Sequence, residues 1–424
     1  MVKAPGAAGG AAVTAPVVKA LALEVAAIVS RPWTLMEVCG GQTHAIVRWG
    51  LDQLLPEGLR LLHGPGCPVC VTPAATIEQA LQLARLPEVI LCSYGDMLRV
   101  PGEGRDSLLA VRAGGGDVRL LTSPLQALTL AGSHPDRQVV FLAVGFETTA
   151  PATALLARQV LALGVRNLSV LCAHVRVSPA MEAILAEPDN RVQGFLAAGH
   201  VCSVLGTAEL EGLVRRRHVP VVVSGFEPSE LMRALLACVS QLEAGQARVE
   251  NAYGAVVRQR GNPEAIRLLE EVFVAGDQPW RGIGVLPAGG LFLRGRYRQL
   301  DARRRFGLEP PGARVAGDRQ ACAPCSGGGV FADAQPEVLD REHAGDRRMP
   351  ASGCIAGSVL RGQASPLECP AFGTACTPEH PLGAPMVSSE GACAAYLLHR
   401  PRCTAAAASA TSMEAEPGCL QRRA

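Results

Sequence analysis

The stretch that decides the fold is VVFLAVGFETTAPATALLARQVLALG, residues 139–164. Its first part, Val139–Val144, is an unbroken apolar run, which is typical of a strand buried on both faces. The segment Pro151–Leu163 that follows has the apolar spacing of a helix. A strand followed directly by a helix is the repeating unit of parallel α/β sheets, so this stretch predicts such a sheet.

The same alternation extends from about residue 30 to residue 245. Helical spacing also lies between most of the other apolar runs, as in Ala75–Leu86 and Pro228–Ala244. The sequence therefore predicts an α/β protein with two parallel-sheet α/β units and a cysteine-rich C-terminal region of the iron–sulfur type. Seven further strands are predicted: Leu35–Val38, Leu59–His63, Val89–Cys92, Val118–Leu121, Leu168–Ala173, Gly194–Ala198 and Val219–Ser224.

Shifts in composition predict how the chain is divided. Loop-forming residues near residue 135 favour a boundary there, and periodicity fades past about residue 300. Two strands end in Gly-Phe-Glu, at 145–147 and 225–227, as two related α/β units would. The predicted parts are a flexible or helical N-terminus (1–30), two α/β domains (31–135 and 136–300), a cysteine-rich region (301–403) with an insertion at 322–350, and a disordered tail (404–424).

Composition argues against several classes of function. A net charge of +2 provides no basic field for nucleic acid, and an aromatic content of 4% argues against base stacking. No run of about 18 apolar residues could span a membrane. The Ala-rich start lacks a clean signal-peptide core, so we expect a cytoplasmic protein.

Fifteen cysteines are the most unusual feature of the composition. In a reducing compartment, metal or redox chemistry explains them better than a disulfide framework. Cys172, Cys202 and Cys238 sit in apolar surroundings, and we expect them to be small core residues. The remaining cysteines cluster.

Two cysteine motifs follow predicted strands, where functional groups collect in open α/β sheets. Cys39-Gly-Gly-Gln-Thr-His44 follows the first, and His63-Gly-Pro-Gly-Cys67-Pro-Val-Cys70 follows the second. Cys67 and Cys70 can close a small disulfide ring or share a metal, although half a zinc site or two unreactive thiols remain alternatives. Cys39 is a soft ligand suited to low-spin iron, and its two glycines permit a left-handed turn.

Two further residues are candidates for proton chemistry. His44, expected near the start of a helix over Ala45–Leu55, could be a metal ligand, a proton relay or only a helix-end hydrogen-bonding residue. Glu147, with Thr148 and Thr149, opens the next helix and could cap its free amides or take a proton from a thiol. Weaker candidates are Asp96, Arg99, His174, His200 and Glu227.

Four C-terminal cysteines form a separate group: Cys354, Cys369, Cys376 and Cys393. Their spacings do not match a zinc ribbon with two C-x-x-C pairs, which favours a [4Fe–4S] cluster, although zinc or no metal remain open. A metal here would fasten a segment that has little hydrophobic periodicity. The pair Cys322 and Cys325 has no assigned role.

Long motifs in this chain resemble the HypD family of [NiFe]-hydrogenase maturation factors. The resemblance runs from about residue 33 to 310 and again from about 354 to 399, and it is specific because whole motifs match. They are Met36-Glu-Val-Cys39-Gly-Gly-Gln-Thr-His44, His63-Gly-Pro-Gly-Cys67-Pro-Val-Cys70, Gly145-Phe-Glu147-Thr-Thr149, Ser224-Gly-Phe-Glu227-Pro and Met386-Val-Ser-Ser-Glu390-Gly-Ala-Cys393.

The resemblance implies a scaffold that helps to assemble the Fe(CN)₂CO unit of the hydrogenase. It implies that a HypC-type chaperone binds the chain and that a HypE-type protein donates cyanide. Cys39 would hold the iron fragment, Cys67 and Cys70 would be the redox-active pair, and His44 would line the same site. The C-terminal cysteines would hold a [4Fe–4S] cluster.

This chain departs from the family pattern at one expected cluster ligand. The family has a cysteine in a Cys-Gly-x-Val-Leu-x-Gly motif, where this chain has Ala356-Gly357-Ser-Val-Leu360-Arg-Gly362. Cys354, two residues earlier, could substitute, as could Cys322 or Cys325.

Other functions remain open beside an assembly scaffold, which would not be a conventional turnover enzyme. A stand-alone thiol–disulfide oxidoreductase would use Cys67 and Cys70 on protein substrates without a partner or Cys39. A nucleotide-binding enzyme is disfavoured, because neither G-x-G-x-x-G after a strand nor G-x-x-x-x-G-K-[ST] is present.

Overall fold

A computed structural model describes residues 8–102, 104–308 and 353–400. The predicted insertion, Cys322, Cys325 and the predicted tail lie outside these residues. Within the described part, no helix is both long enough and apolar enough to cross a bilayer.

The first sheet, sheet A, is entirely parallel. Its strands are β1 (Trp33–Glu37), β2 (Leu59–His63), β7 (Gly194–Ala198), β8 (Val221–Ser224) and β9 (Val249–Asn251). They are ordered β2-β1-β7-β8-β9 across the sheet.

The second sheet, sheet B, is also parallel and is ordered β4-β3-β5-β6. These strands are β3 (Val89–Ser93), β4 (Val118–Leu120), β5 (Gln138–Gly145) and β6 (Leu168–His174). An antiparallel hairpin of β10 (Phe273–Trp280) and β11 (Gly284–Leu293) completes the strands of the described residues. All eight predicted strands are present, so the predicted α/β class with parallel sheets is confirmed.

The two sheets are not consecutive in the chain. The chain builds β1 and β2 of sheet A, then all of sheet B, and returns to sheet A at β7. The predicted boundary near residue 135 falls between β4 and β5, which belong to the same sheet. The predicted ranges therefore do not correspond to the sheets, because a sequence pattern identifies strands without showing which strands pair.

Helices cover the sheets and fill the connections. Helix α11 shows why one begins where it does: Glu227 and Glu230 form a capping box around Pro228, its first residue. The helices of the described residues are α1 (Ala8–Ile28), α2 (Gly40–Trp49), α3 (Pro68–Val71), α4 (Ala74–Ala84), α5 (Leu108–Ala113), α6 (Leu125–Ser133), α7 (Ala150–Ala162), α8 (Val177–Ala186), α9 (Gly199–Leu205), α10 (Ala208–Arg217), α11 (Pro228–Glu243), α12 (Pro263–Val272), α13 (Ala302–Phe306), α14 (Ala356–Leu360) and α15 (Ala392–His399).

Side chains from both sheets pack into one buried cluster. Phe141 of β5 and Phe195 of β7 belong to it and are fully buried. Cys172, Cys202 and Cys238 are buried as well, which confirms the prediction that they are core residues. The two sheets therefore share one core.

Candidate functional site

Two cysteine turns leave neighbouring strands at one edge of sheet A. They are the Cys39 turn (residues 38–41), after β1, and the Cys67 turn (residues 64–70), after β2. The amide of Gly40 donates a hydrogen bond to the carbonyl of Gly66 at 2.7 Å. A Cβ atom on Gly66 would lie 2.2 Å from the Cys39 amide nitrogen, so only glycine permits this approach. The structure thus joins the two turns that the sequence singled out.

Cys67 and Cys70 form a disulfide within the Cys67 turn. Cys67 directly precedes α3, and its sulfur accepts a hydrogen bond from the Cys70 amide at 3.3 Å. Both residues are buried in the same cluster as Cys39. Such a pair can interconvert between a disulfide and two thiols, which takes up or releases two electrons and two protons.

The Cys39 thiol is buried at the N-terminus of α2. Burial raises the pKa of this thiol, the nearby Glu37 and Glu390 raise it further, and the Gln42 amide opposes the shift. Its sulfur lies 3.6 Å from Nδ1 of His200. The thiol is therefore protonated at neutral pH in this state, and it must lose the proton before it can bind a metal.

His200 was only a weak candidate from the sequence, yet it is hydrogen-bonded to the Cys39 sulfur. Its ring stacks on Phe226 with the ring centres 5.3 Å apart. Burial lowers the pKa of His200, which favours the neutral ring. Phe226 belongs to the repeated Gly-Phe-Glu motif, but no local pattern predicts that its ring would stack on a histidine.

The helix after Cys39 begins earlier than predicted. The expected helix was Ala45–Leu55, whereas α2 begins at Gly40 and ends at Trp49. Gly40 does not adopt a left-handed conformation. It is required because a Cβ atom there would lie 2.6 Å from the Glu390 Cβ.

His44 consequently lies within α2, where it meets the C-terminal segment (residues 353–400). Its Nδ1 is hydrogen-bonded to the carbonyl of Ser389 at 3.1 Å, and its ring meets that of His399 edge-on. His44 thus joins α2 to the C-terminal segment.

Glu147 is buried at the carboxyl end of sheet B. One carboxyl oxygen accepts a hydrogen bond from the Val177 amide, the first residue of α8, at 3.0 Å. Thr149 bonds back to the Phe146 carbonyl and does not cap α7 with its side chain, so the capping prediction is wrong for this threonine. The helix that Glu147 caps is α8, and not the helix that follows it in sequence.

The second carboxyl oxygen of Glu147 has no hydrogen-bond partner. Glu147 lines a cavity of about 30 Å³, together with Cys202 and Glu209. Such a volume holds one or two water molecules. Burial, and then Glu209, raise the pKa of Glu147 to about 7, while Arg176 opposes the shift.

Glu147→Gln is expected to flatten the dependence of stability on pH. A pKa of about 7 in the folded state, against 4.5 for an ordinary glutamate, means that the folded protein holds this proton more tightly. The free energy of unfolding should therefore fall by about 3 kcal/mol as pH rises from 4.5 to 7, and the variant should lack this loss. Urea unfolding at pH 5 and pH 8 measures it. Parallel pH dependence in both proteins would contradict the argument.

The weaker candidates have structural contacts. Burial lowers the pKa of His174 to about 4, and its two ring nitrogens are hydrogen-bonded to the Gly145 carbonyl and the Thr153 hydroxyl. Arg99 pairs with Asp96 and donates to the Val387 carbonyl at 2.7 Å. These residues hold the framework around the site.

The four C-terminal cysteines line one cavity, here called the four-cysteine cavity. It is formed by Cys354, Cys369, Cys376, Cys393 and apolar neighbours that include Phe372 and Met386. Burial raises the pKa of Cys393, and the other three thiols raise it further. As they stand, no three His, Cys, Asp or Glu side chains of the described residues are arranged to hold a metal ion. The four sulfurs therefore surround a shared space without converging on one point.

The four-cysteine cavity adjoins the Cys67 turn. Helix α3 packs against the 3₁₀ turn Ala384–Met386, which lines the cavity. Arg281, between β10 and β11, donates a hydrogen bond from its backbone amide to the Val71 carbonyl at 2.8 Å. Burial raises the pKa of Cys354, and the charge of Arg281 partly opposes this shift. The described C-terminal segment thus contacts both cysteine turns of sheet A.

Three buried polar residues near Cys39 were not singled out from the sequence: Glu37, His63 and Tyr396. His63 is hydrogen-bonded to Glu37 through one ring nitrogen and to Tyr396 through the other. Glu37 and His63 are the last residues of β1 and β2. A charged or polar residue at the end of an otherwise buried strand is the signal that could have identified them.

Comparison with known proteins gives extensive similarity. A family model, HypD, described as "Hydrogenase formation hypA family", matches residues 16–337 and 330–400. The chain is 45% identical over 376 residues to the hydrogenase expression/formation protein HupD of Azotobacter chroococcum mcd 1. The aligned region covers 87% of this chain and 90% of that relative. It is 42% identical over 371 residues to the hydrogenase maturation factor HypD of Escherichia coli (strain K12), with shares of 87% and 90%. The similarity extends through both sheets and the C-terminal segment.

Proposed function

The chain belongs to the HypD family and has a role in hydrogenase formation, and from this premise we propose that it is the scaffold and redox factor on which the Fe(CN)₂CO unit of a [NiFe]-hydrogenase is assembled. It acts with a HypC-type chaperone and with a HypE-type cyanide donor. The iron fragment is cargo that passes through the site.

The observation that carries this proposal is the junction of the two cysteine turns. A single thiol, Cys39, lies in a turn that is hydrogen-bonded to the turn holding the Cys67–Cys70 pair. A thiolate is a soft ligand for low-spin iron, and a dithiol supplies electrons. Cys39 holds the iron once its thiol has lost a proton, and Cys67 and Cys70 provide the redox change beside it.

The four C-terminal cysteines fit a [4Fe–4S] cluster. Four thiols are the donor set of such clusters, and these four line one shared cavity together with apolar neighbours. We propose Cys354, Cys369, Cys376 and Cys393 as its ligands. When bound, the cluster supplies one-electron transfer next to the Cys67–Cys70 pair.

We locate this role in the cytoplasm. Nine cysteines of the described residues are free thiols, and a reducing compartment keeps them so. A second candidate function is stand-alone thiol–disulfide exchange at Cys67 and Cys70. The observation that favours it is the disulfide between these two residues. That activity would need neither Cys39 nor a partner.

The test is to purify the full chain under anoxic conditions with a HypC-type partner and record its infrared spectrum. The proposal predicts the stretching bands of iron-bound cyanide and carbon monoxide on the complex. Their absence in a host whose hydrogenase is being matured would overturn it. Disulfide exchange by the chain alone, with no iron bound, would favour the second candidate.

Cys39→Ala is expected to remove about one iron per complex and both ligand bands, because one thiolate ligand of the cargo is lost. Iron held by the C-terminal cysteines should stay. Cys238→Ala, which removes a buried cysteine of α11 that no step uses, is the matched control. Retention of the bands in the Cys39→Ala complex would contradict the assignment.

A further inference from the structure

A chain of buried hydrogen bonds surrounds the Cys39 turn. Its members, Glu37, Thr43, His63 and Tyr396, are called the Glu37 network. One carboxylate oxygen of Glu37 accepts from the Cys39 amide at 2.8 Å. The other accepts from the Thr43 hydroxyl and lies 2.8 Å from Nδ1 of His63. Glu37 thus fixes the backbone that carries the Cys39 thiol.

The far side of the His63 ring reaches the C-terminal segment. Its Nε2 lies 3.1 Å from the Tyr396 hydroxyl, and the two rings meet edge-on with centres 5.5 Å apart. Tyr396 belongs to α15, one helical turn beyond Cys393, whose side chain lines the four-cysteine cavity. One short helix therefore carries both a wall of that cavity and the end of the Glu37 network.

The hydrogen bonds of the network have a consistent direction. A carboxylate only accepts, so Nδ1 of His63 holds the proton that it donates to Glu37. With a neutral ring, Nε2 then accepts from the Tyr396 hydroxyl. Burial raises the pKa of that hydroxyl to about 12, so it remains a donor. Loss of the hydroxyl would leave a buried acceptor unpaired, which costs more than the hydrogen bond itself contributes.

The C-terminal segment also contacts α2 directly. Helix α15 packs on α2. Glu390 fills the space above Gly40, and the Ser389 carbonyl is hydrogen-bonded to His44. The C-terminal segment therefore reaches the Cys39 turn by two routes. The first is the Glu37 network, which ends at the Cys39 amide. The second is the packing of the segment against α2, the helix that follows Cys39.

We propose that His63 and Tyr396 are positioning residues, through which the segment that forms the four-cysteine cavity sets the position and reactivity of the Cys39 thiol. The proposal rests on the proposed function only in taking Cys39 as the reacting thiol. It gives the C-terminal segment a second role besides metal binding. A change in the packing of α15 reaches Cys39 through hydrogen bonds, without electron transfer.

The test compares Tyr396→Phe with the wild-type full chain, purified under anoxic conditions. The rates at which iodoacetamide alkylates Cys39 and the buried Cys238 are measured at one pH in the same samples by peptide mass spectrometry. Loss of one buried hydrogen bond should free the turn and raise the Cys39 rate about two- to tenfold. The alkylation rate of Cys238, which lies in α11 outside the network, should not change, whereas a general loosening of the fold would raise both rates.

Tyr297→Phe is the matched control, because its hydroxyl is hydrogen-bonded to Glu271 and Arg296, which are not in the network. Thr43→Val is a second variant that removes a donor to Glu37 from α2, and it serves if Tyr396→Phe does not fold. A Cys39 alkylation rate unchanged in both network variants, or one that rises only together with the Cys238 rate, would overturn the proposal. Since no hydrogenase or cargo is used, this result is independent of whether the proposed function holds.

Discussion

Cys67→Ser and Cys70→Ser variants are expected to abolish hydrogenase maturation while leaving the fold intact. Each variant keeps one thiol but removes the disulfide, so the pair can no longer interconvert between a disulfide and two thiols, as the proposed function requires. The measurement is hydrogenase activity in a strain that lacks its own HypD protein and expresses the variant. Activity should fall to the level of the empty strain.

The fold should tolerate the loss because the disulfide closes a very short loop. The chain-entropy relation assigns about 2 kcal/mol to a loop of this length, against a usual stability of about 5–15 kcal/mol. The buried strands on either side do not depend on it. An unchanged circular dichroism spectrum and a melting temperature within a few degrees of wild type would show this. Normal hydrogenase activity in either strain would contradict the role of the pair.

The same variants separate the two candidate functions when they are compared with Cys39→Ala. A stand-alone oxidoreductase would lose exchange activity with Cys67→Ser and keep it with Cys39→Ala. An assembly scaffold loses maturation with either substitution. The close contact of the Cys39 amide with Gly66 favours the second pattern, because it ties the single thiol to the pair.

Most of the sheet architecture could be predicted from the sequence, for a local reason. A strand buried on both faces is a continuous apolar run, as in β5 and β6, and the pattern is visible without knowledge of its partners. Strand β9 was missed because it has three residues and is half exposed. The β10–β11 hairpin was missed because its glycines and prolines interrupt the apolar pattern.

The candidate site was predictable only in part. Cys39, Cys67 and Cys70 were found because cysteines after strand ends are conspicuous in sequence. The hydrogen bond from Cys39 to His200 joins residues 161 positions apart, and that from His63 to Tyr396 joins residues 333 positions apart. Such contacts depend on which strands pair and where the C-terminal segment docks, and no local pattern encodes either.

The position of Cys354 bears on the one departure from the family pattern. The resemblance places a ligand cysteine where this chain has Ala356. A Cβ atom on Gly383 would lie 2.6 Å from the Cys354 sulfur and 3.5 Å from the Ala356 Cβ, so both side chains reach the same wall of the four-cysteine cavity. Cys354 lies two residues before Ala356, the first residue of α14, and its side chain lines the four-cysteine cavity.

Cys354→Ala is therefore expected to remove the cluster, and the double variant with Ala356→Cys is expected to restore it. Wild type purified under anoxic conditions should contain about four irons and four sulfides in the cluster, and Cys354→Ala close to none, because three thiolates hold such a cluster weakly. Iron and sulfide analysis with electron paramagnetic resonance measures both. Cys172→Ala, which removes a core thiol outside the cavity, is the control. Four irons retained by Cys354→Ala would exclude Cys354 as a ligand, and zinc in the wild type would exclude the cluster.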